Sequence, residues 1–475
     1  MKKAIIKTII IILAVLMIPL GIVITAFSLP TQFSYTYYGA LPKMYERLKS
    51  AEGKKIITVG CSSLAFGVNT ELLKMEFDEY MVCPFALYGS IGTKAMMDLS
   101  KVNIGEGDLV ILAPEINEQT LSTYFSGEEI YMATDGKAEM LSHVAWEDIG
   151  SMMEAMPAYL SQKYEYWKAE ESPKPTGVYA ASSFDENCNM IYDRPHNIMD
   201  GGYDKGNLIC YDTAIVQAAF LDYVNEYHEY VTAQGATLLY AFSPVNVSGL
   251  DPATTEGDVD KFYQYLSEQL DCPVIGDPYD YMMDCEWFYD SNVHCNTAGA
   301  IVYTRQLTKD IKVYLGDATP TGIEIPDKPA LPEAEQPTVG DNQDAQYFTY
   351  EEVDGGVQIT GLTEEGTKQT ALIVPTAYNG VAVTGFTATA FAGNTVIEEI
   401  RIQRNIRLIE DASFSGCTNL KALYMAEGEA PSRCKVGMRF LEGAEGLKVY
   451  VENDKLVDYL NDYFWSRYSD VVKGY

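Results

Sequence analysis

Gly53-Lys54-Lys55-Ile56-Ile57-Thr58-Val59-Gly60-Cys61-Ser62-Ser63 is the stretch from which the fold is read. Residues 54–59 form a short run rich in β-branched side chains between two glycines, the pattern of a buried strand. A helix is predicted after it, capped by Asn69 or Thr70 and carrying Leu72, Leu73, Met75 and Phe77. Residues 80–86 and 109–113 read as further apolar strands with a helix over 94–102 between them, and this alternation predicts a parallel sheet. Residues 236–242 and 273–275 bring the count to five. The expected class is α/β, an open parallel five-stranded sheet with helices on both faces. More than 100 residues separate the third strand from the fourth, too many for one crossover helix, so an inserted helical cap is expected over about 118–232.

Working outward, residues 8–27 carry no charge and are long enough, at roughly 1.5 Å per residue, to cross a bilayer as a helix. Lys2, Lys3 and Lys7 precede this run and the next lysine is Lys43, which predicts a single-pass anchor over 1–27 with a cytoplasmic N-terminus and an exported remainder. Residues 28–52 then form a juxtamembrane segment, and 53–315 the α/β domain. Residues 316–345, with Pro320, Pro326, Pro329, Pro332 and Pro337, read as an extended linker. The 475-residue chain holds 34 basic and 67 acidic side chains, a net charge of −33, which a phosphate backbone would repel, so nucleic acid is excluded as a partner. Nine cysteines with no CxxC pair indicate neither a zinc framework nor a fully paired disulfide scaffold.

Beyond the linker the sequence repeats itself. Val383, Phe386, Phe391, Gly393, Ile397 and Ile400 recur as Ile406, Ile409, Phe414, Gly416, Leu420 and Leu423, each 23 residues later. A period in the twenties with apolar positions in register predicts a solenoid whose turns bury their faces on one another. The segments TAFAGNTVIEEIRI and ASFSGCTNLKALYM resemble the BspA type of leucine-rich repeat of bacterial surface proteins, over residues 346–475. That resemblance implies a protein partner bound through the repeats.

Two features of the α/β domain carry chemistry. Ser62 follows Gly60-Cys61 where the first strand ends, and in an open parallel sheet sites form at the carboxyl ends of strands. Asp290 and His294 share one short loop, and a neutral imidazole steadied by a carboxylate can take a proton from a serine. The other histidines, His143, His196 and His228, read as structural or exposed. Together, Gly60-Cys61-Ser62, the glycine block Phe85-Ala86-Leu87-Tyr88-Gly89, and Asp290 with His294 resemble the SGNH or GDSL hydrolase superfamily over residues 53–315. The resemblance implies Ser62 as nucleophile, His294 as base and Asp290 as its orienting acid, with Gly89 and the Ser62 amide at the oxyanion.

The match departs from the family pattern at three points. Cys61 stands where an acid is usual, Asp290 precedes His294 by four residues instead of three, leaving Ser291 at the expected place, and no clear oxyanion asparagine follows the third strand. Glu115 lies nearest that position; Asn117 or the backbone amides are the alternatives. Asn246, at the end of the fourth strand, is a candidate substrate contact or a turn residue, and the aromatic stretch 159–167 either lines a groove or packs in the core. The resemblance implies a membrane-anchored extracellular serine esterase or O-acyltransferase acting on an acylated envelope polysaccharide or teichoic-type polymer, with no metal or cofactor. A noncatalytic surface adhesion or scaffold protein is the competing expectation.

Overall fold

The computed structural model describes Lys7, Gly21 and residues 28–170, 172–331, 344–353, 355–426 and 434–475 apart from positions 438, 442, 445, 463, 464, 466 and 467. The expected anchor over residues 1–27 therefore lies outside the described residues apart from Lys7 and Gly21. Among those described, no helix is long and apolar enough to cross a membrane. The chain divides into two compact units, residues 1–174 with 180–332, and residues 333–475 with 175–179.

The first unit is built on four parallel strands, β1 (Lys55–Gly60), β2 (Met81–Ala86), β3 (Leu109–Ala113) and β4 (Thr237–Tyr240), in the order β2-β1-β3-β4. Every residue of β1 and β3 is buried, as strands covered on both faces must be. The expected fifth strand is reduced to one parallel bridge, Tyr240 with Val274, held by Tyr240 N to Pro273 O at 2.9 Å and Ile275 N to Tyr240 O at 2.8 Å. Pro273 has no N–H to extend the ladder. Leu41–Ser50, Thr93–Ser100 and Ala218–Ala233 pack side by side, while Thr297–Leu315 packs on Ser62–Gly67 and Thr70–Glu76, so helices form two layers about the sheet.

Three boundaries differ from the sequence reading. Residues 28–52 are no tether: Leu41, Met44, Tyr45 and Leu48, at helical spacing, are buried, and the amides of Gln32 and Phe33 donate to Asp135, which also holds the wholly buried Lys163. The insertion is only partly helical. Gly127–Ala133 and Ile149–Ala169 are helices, the stretch from 180 to 216 is short 3-10 turns and irregular chain, and Ala218–Ala233 is the ordinary helix leading into β4. The segment after Gly316 stays with the first unit through Ile323, which is buried, and through Thr321 and the Gly322 amide, which donate to Glu76. Proline content alone does not reveal such docking, because a buried apolar side chain, hydrogen bonds to Glu76 and the ion pair of Lys328 with Asp284 secure it.

In the second unit the 23-residue repeat becomes strand register. Gly385 and Phe386 pair with Leu408 and Ile409, and Glu399, Ile400 and Arg401 pair with Ala422, Leu423 and Tyr424, all parallel. The turns therefore contribute to two sheets that share one core, in which all ten of the recurring apolar side chains are buried. Phe391 stacks on Phe414 with centroids 5.2 Å apart, and Gly393 and Gly416 both take φ near +75° (76° and 74°), the left-handed conformation that explains glycine at both positions. Further turns are present at other spacings, such as Leu408 with Lys435 and Ala422 with Lys448, so a search at a fixed 23 misses them.

Phe414→Ala is expected to destabilise the second unit by about 3–5 kcal/mol, the usual cost of an aromatic deletion in a packed core, measured by calorimetry of the full chain. A second test concerns the docked segment. Burial works against the charge of Glu76, but hydrogen bonds from Lys312, Gly322 and Thr321 outweigh it and hold the carboxyl below its usual range. Stabilisation from this group is complete above the ordinary value of 4.5 and is lost as the pH falls through the lower folded value. Glu76→Gln should remove that acid-dependent part of the stability, read as a flatter dependence of melting temperature on pH.

Candidate active site

Ser62 is the first residue of the Ser62–Gly67 helix, directly beyond the carboxyl end of β1. Asp290 and His294 come from a tight loop closed by the Phe288–Cys295 bridge and by Tyr289 N donating to His294 O at 2.8 Å. The Thr297–Leu315 helix that follows packs against the Ser62–Gly67 helix, and this contact delivers the loop to the serine. Asn292 clamps the loop from below: its amide donates to the carbonyls of Asp204 and Asn207, and its Oδ1 accepts from Asp204 N.

His294 Nε2 lies 2.8 Å from Ser62 Oγ, and His294 Nδ1 lies 2.7 Å from Asp290 Oδ1. Acid, imidazole and hydroxyl thus form one continuous relay. Ser291 has a different part. Its Oγ accepts from the backbone N–H of Val293 and of His294, at 3.3 and 3.2 Å, and so shapes the turn that lets a four-residue spacing aim Asp290 at the ring. Phe66, one helical turn after Ser62, stacks on the His294 ring at 4.0 Å and 13°, which fixes the imidazole plane. Ser62 and His294 are 7% and 8% exposed, so the relay is sheltered but not sealed.

The oxyanion side differs from the family expectation. Glu115 Oε1 accepts from Ser62 Oγ and from the Ser63 amide, both at 3.0 Å, and Asn117 Nδ2 reaches Glu115 Oε2 at 3.5 Å. Gly89 borders the same carboxyl, since a Cβ on it would lie 3.5 Å from Glu115 Oε2. The amide turned to this position is that of Ser63, where Ser62 had been expected to supply it. Asn117 spends its Oδ1 on the amides of Gln119 and Thr120, as a turn-former does. Asn246 is also a turn residue: it is wholly buried, its amide donates to Gly202 O and its Oδ1 accepts from Ser248 N, which leaves it no part in substrate contact.

The aromatic stretch divides between its two readings. Tyr159 is core, whereas Tyr164, Tyr166 and Trp167 line an open cleft of about 520 Å³ that none of the relay residues touches. Cys61 and Cys295 are both buried, and burial pushes both thiols well up, against the thiolate that a cysteine nucleophile needs.

Sequence reading missed two residues. Phe66 was legible in principle, because its four-residue spacing puts it on the Ser62 face of a helix. Arg194 had no signal, since it lies in the irregular part of the insertion. Its guanidinium is buried, sits 5.1 Å from the Phe66 ring centroid and donates to Phe66 O. Burial lowers its pKa, while Cys295, Tyr37, Asp290 and Tyr289 favour its charge, so it places a cation behind the orienting acid.

No family model and no curated protein matches the chain. Among solved structures it is similar to a leucine-rich cell surface protein of Faecalibacterium prausnitzii A2-165, at 18% identity over 22% of this chain and 28% of that one, with a TM-score of 0.19. A leucine-rich repeat protein of Bacteroides ovatus matches at 18% identity over 23% and 37%, with a TM-score of 0.18. The protein YXIM of Bacillus subtilis matches at 13% identity over 56% and 58%, with a TM-score of 0.27. The chain thus spans less than two thirds of the length of each.

The division of labour between Asp290 and Ser291 is open to direct test with a serine-reactive fluorophosphonate. Asp290→Asn should slow labelling of Ser62 by about 10³- to 10⁴-fold, the scale expected when the imidazole is held in the wrong tautomer. Ser291→Ala, which removes only two backbone contacts, should cost about 1 kcal/mol of stability and change labelling by less than about tenfold.

Proposed function

We propose that the first unit is an SGNH-type serine esterase or O-acyltransferase, carried by residues 8–27 on the outer face of a cell membrane and acting on an acylated envelope polymer. The observation that carries this reading is the relay Asp290–His294–Ser62, with separations of 2.7 and 2.8 Å, assembled from loops far apart in sequence. In the first step Ser62 Oγ bonds to the acyl carbon, its proton passes to His294 Nε2, and Asp290 stabilises the imidazolium. The tetrahedral intermediate collapses, the leaving alcohol takes the proton from His294, and an acyl-serine remains. Water or a hydroxyl of an acceptor glycan then gives its proton to His294 and attacks the acyl carbon, returning Ser62. Hydrolysis and transfer differ only in that acceptor. The second unit, with its resemblance to surface leucine-rich repeats, supplies a binding surface for the envelope or for a protein on it.

A noncatalytic surface protein is the second reading, and one observation favours it. The Glu115 carboxyl sits against Ser62 and the Ser63 amide, where an acyl oxygen would have to be received.

The deciding experiment is fluorophosphonate labelling and short-chain ester hydrolysis by the full chain in detergent, compared with Ser62→Ala. Labelling and turnover should both be abolished in the variant, with unfolding behaviour unchanged. Equal labelling of both proteins would move the nucleophile to Ser63. Absence of labelling and of turnover in the wild type, with glycan acceptors supplied, would leave the surface-protein reading in its place.

A further inference from the structure

The helix Ile149–Ala169 turns one face into the first unit and a second apolar face outward. Met152, Met156, Tyr159 and Lys163 are its buried residues. Trp146, in the turn that leads into the helix, Ile149, Met153, Leu160, Tyr164 and Trp167 recur at steps of three, four and seven residues, which aligns them in one stripe beside the buried face. Five of these six are at least 41% exposed, with Trp146 at 83%, and Leu160 is half-buried. Large apolar side chains aligned along 21 residues, roughly 30 Å of helix, form an exposed patch of the kind that marks an interaction surface. Its outer border is acidic, since Glu154 and Glu165 lie exposed along it.

Two observations say what covers this stripe. The chain leaves the uncharged run 8–27 next to one end of it. Gln32 lines the same cleft as Tyr164, Tyr166 and Trp167, and its side chain accepts from Ser172 Oγ at 2.7 Å. Phe33 packs on Tyr159 and Tyr166 with centroids 6.1 and 5.9 Å apart. From Phe27 to Gln32 is five residues, at most about 18 Å of extended chain, so a bilayer spanned by that run lies close to Trp167. Exposed Tyr35, with Lys174 Nζ 5.5 Å from its ring centroid, and exposed Lys168 belong to this end. Trp, Tyr and Lys together are the side chains that settle at the level of lipid headgroups. Charge disfavours the other occupants: Glu154 and Glu165 would meet the same acids of a paired second copy, and a net charge of −33 opposes an anionic surface.

We propose that the stripe is a membrane-docking surface, and that the helix lies along the bilayer with its outward apolar side chains among the headgroups of zwitterionic phospholipid. The inference rests on the anchor in the reading above and is independent of the serine chemistry. Because the anchor already holds the unit at the membrane, the contact is intramolecular and needs little affinity of its own. The anchor fixes one point of the first unit and the far end of the helix a second, roughly 30 Å away, which sets the orientation of the unit on the bilayer.

The test is tryptophan quenching in the full chain reconstituted into phosphatidylcholine vesicles whose acyl chains are brominated just below the headgroups. Trp146→Phe and Trp167→Phe assign the emission, separating both residues from Trp287 and Trp465. Both Trp146 and Trp167 should be quenched. Met153→Glu, a change at an exposed position, should cause a loss of Trp146 quenching with the melting temperature unchanged. Adding phosphatidylglycerol should leave that quenching unchanged or lower it. Quenching of Trp167 alone would show a helix standing away from the bilayer and would overturn the proposal. So would quenching of neither residue in a chain that co-floats with the vesicles, and in both cases the anchor stands. Quenching that survives Met153→Glu, or that rises with anionic lipid, would overturn it as well, because apolar burial would not be what holds the face. Unquenched Trp146 with concentration-dependent cross-linking through Met153→Cys would assign the stripe to a second copy instead. A chain that does not co-float at all would remove the anchor and the docking surface together, while leaving fluorophosphonate labelling of Ser62 as a separate question.

Discussion

The hydrogen bond between Ser62 Oγ and His294 Nε2 closes a gap of 232 positions in sequence, and most of the first unit serves to hold its two ends. One end is fixed by β1, buried along its whole length and paired on both sides by β2 and β3, so that the chain leaves the sheet at Gly60 in a set direction. The other is fixed by the Thr297–Leu315 helix, whose N-cap Asn296 also donates to the carbonyls of Glu286 and Phe288 and so ties the loop base to the helix start. A proton can pass between two such groups only over a hydrogen-bond distance, which makes rigidity at both ends a chemical requirement.

The insertion between β3 and β4 belongs to this framework. Asn292 is held by residues 204 and 207, and Arg194 brings a buried cation behind Phe66 and Asp290. Thr297 N also donates to Arg194 O, and Arg194 N to Thr297 Oγ1, both at 2.9 Å, which joins the insertion to the start of the helix that bears on the site. Electrostatics in this region are organised around two acids with unlike surroundings. Asp290 faces an imidazole and lies near a guanidinium, whereas Glu115 faces a hydroxyl, an amide and a glycine.

The second unit follows a simpler constraint. A single turn of its coil cannot bury its apolar face, so each must stack on the next, and the stacking forces equivalent residues into parallel register. Phe386, Phe391 and Phe414 form a connected aromatic core, and the left-handed glycines release the chain from one sheet toward the other at equivalent points. Turns of unequal length are tolerated because most extra residues go to the connections while paired strands keep their register, and one is absorbed as a bulge between Val383 and Gly385.

By itself the sequence determined the parallel sheet, its principal strands, the place of the serine and of the Asp-His loop, and the repeat with its buried positions. These rest on local periodicity and on residue types at strand ends, which the chain carries wherever it folds. It could not determine that residues 41–50 form a core helix, that the segment after Gly316 stays docked through Ile323 and Glu76, or that Asn246 is spent on a turn. Nor could it choose between Asp290 and Ser291, or reveal Glu115 against the Ser63 amide and Arg194 behind Phe66. Those are contacts between elements far apart in the chain, and only tertiary packing sets which side chain meets which, at what distance, and with what charge beside it.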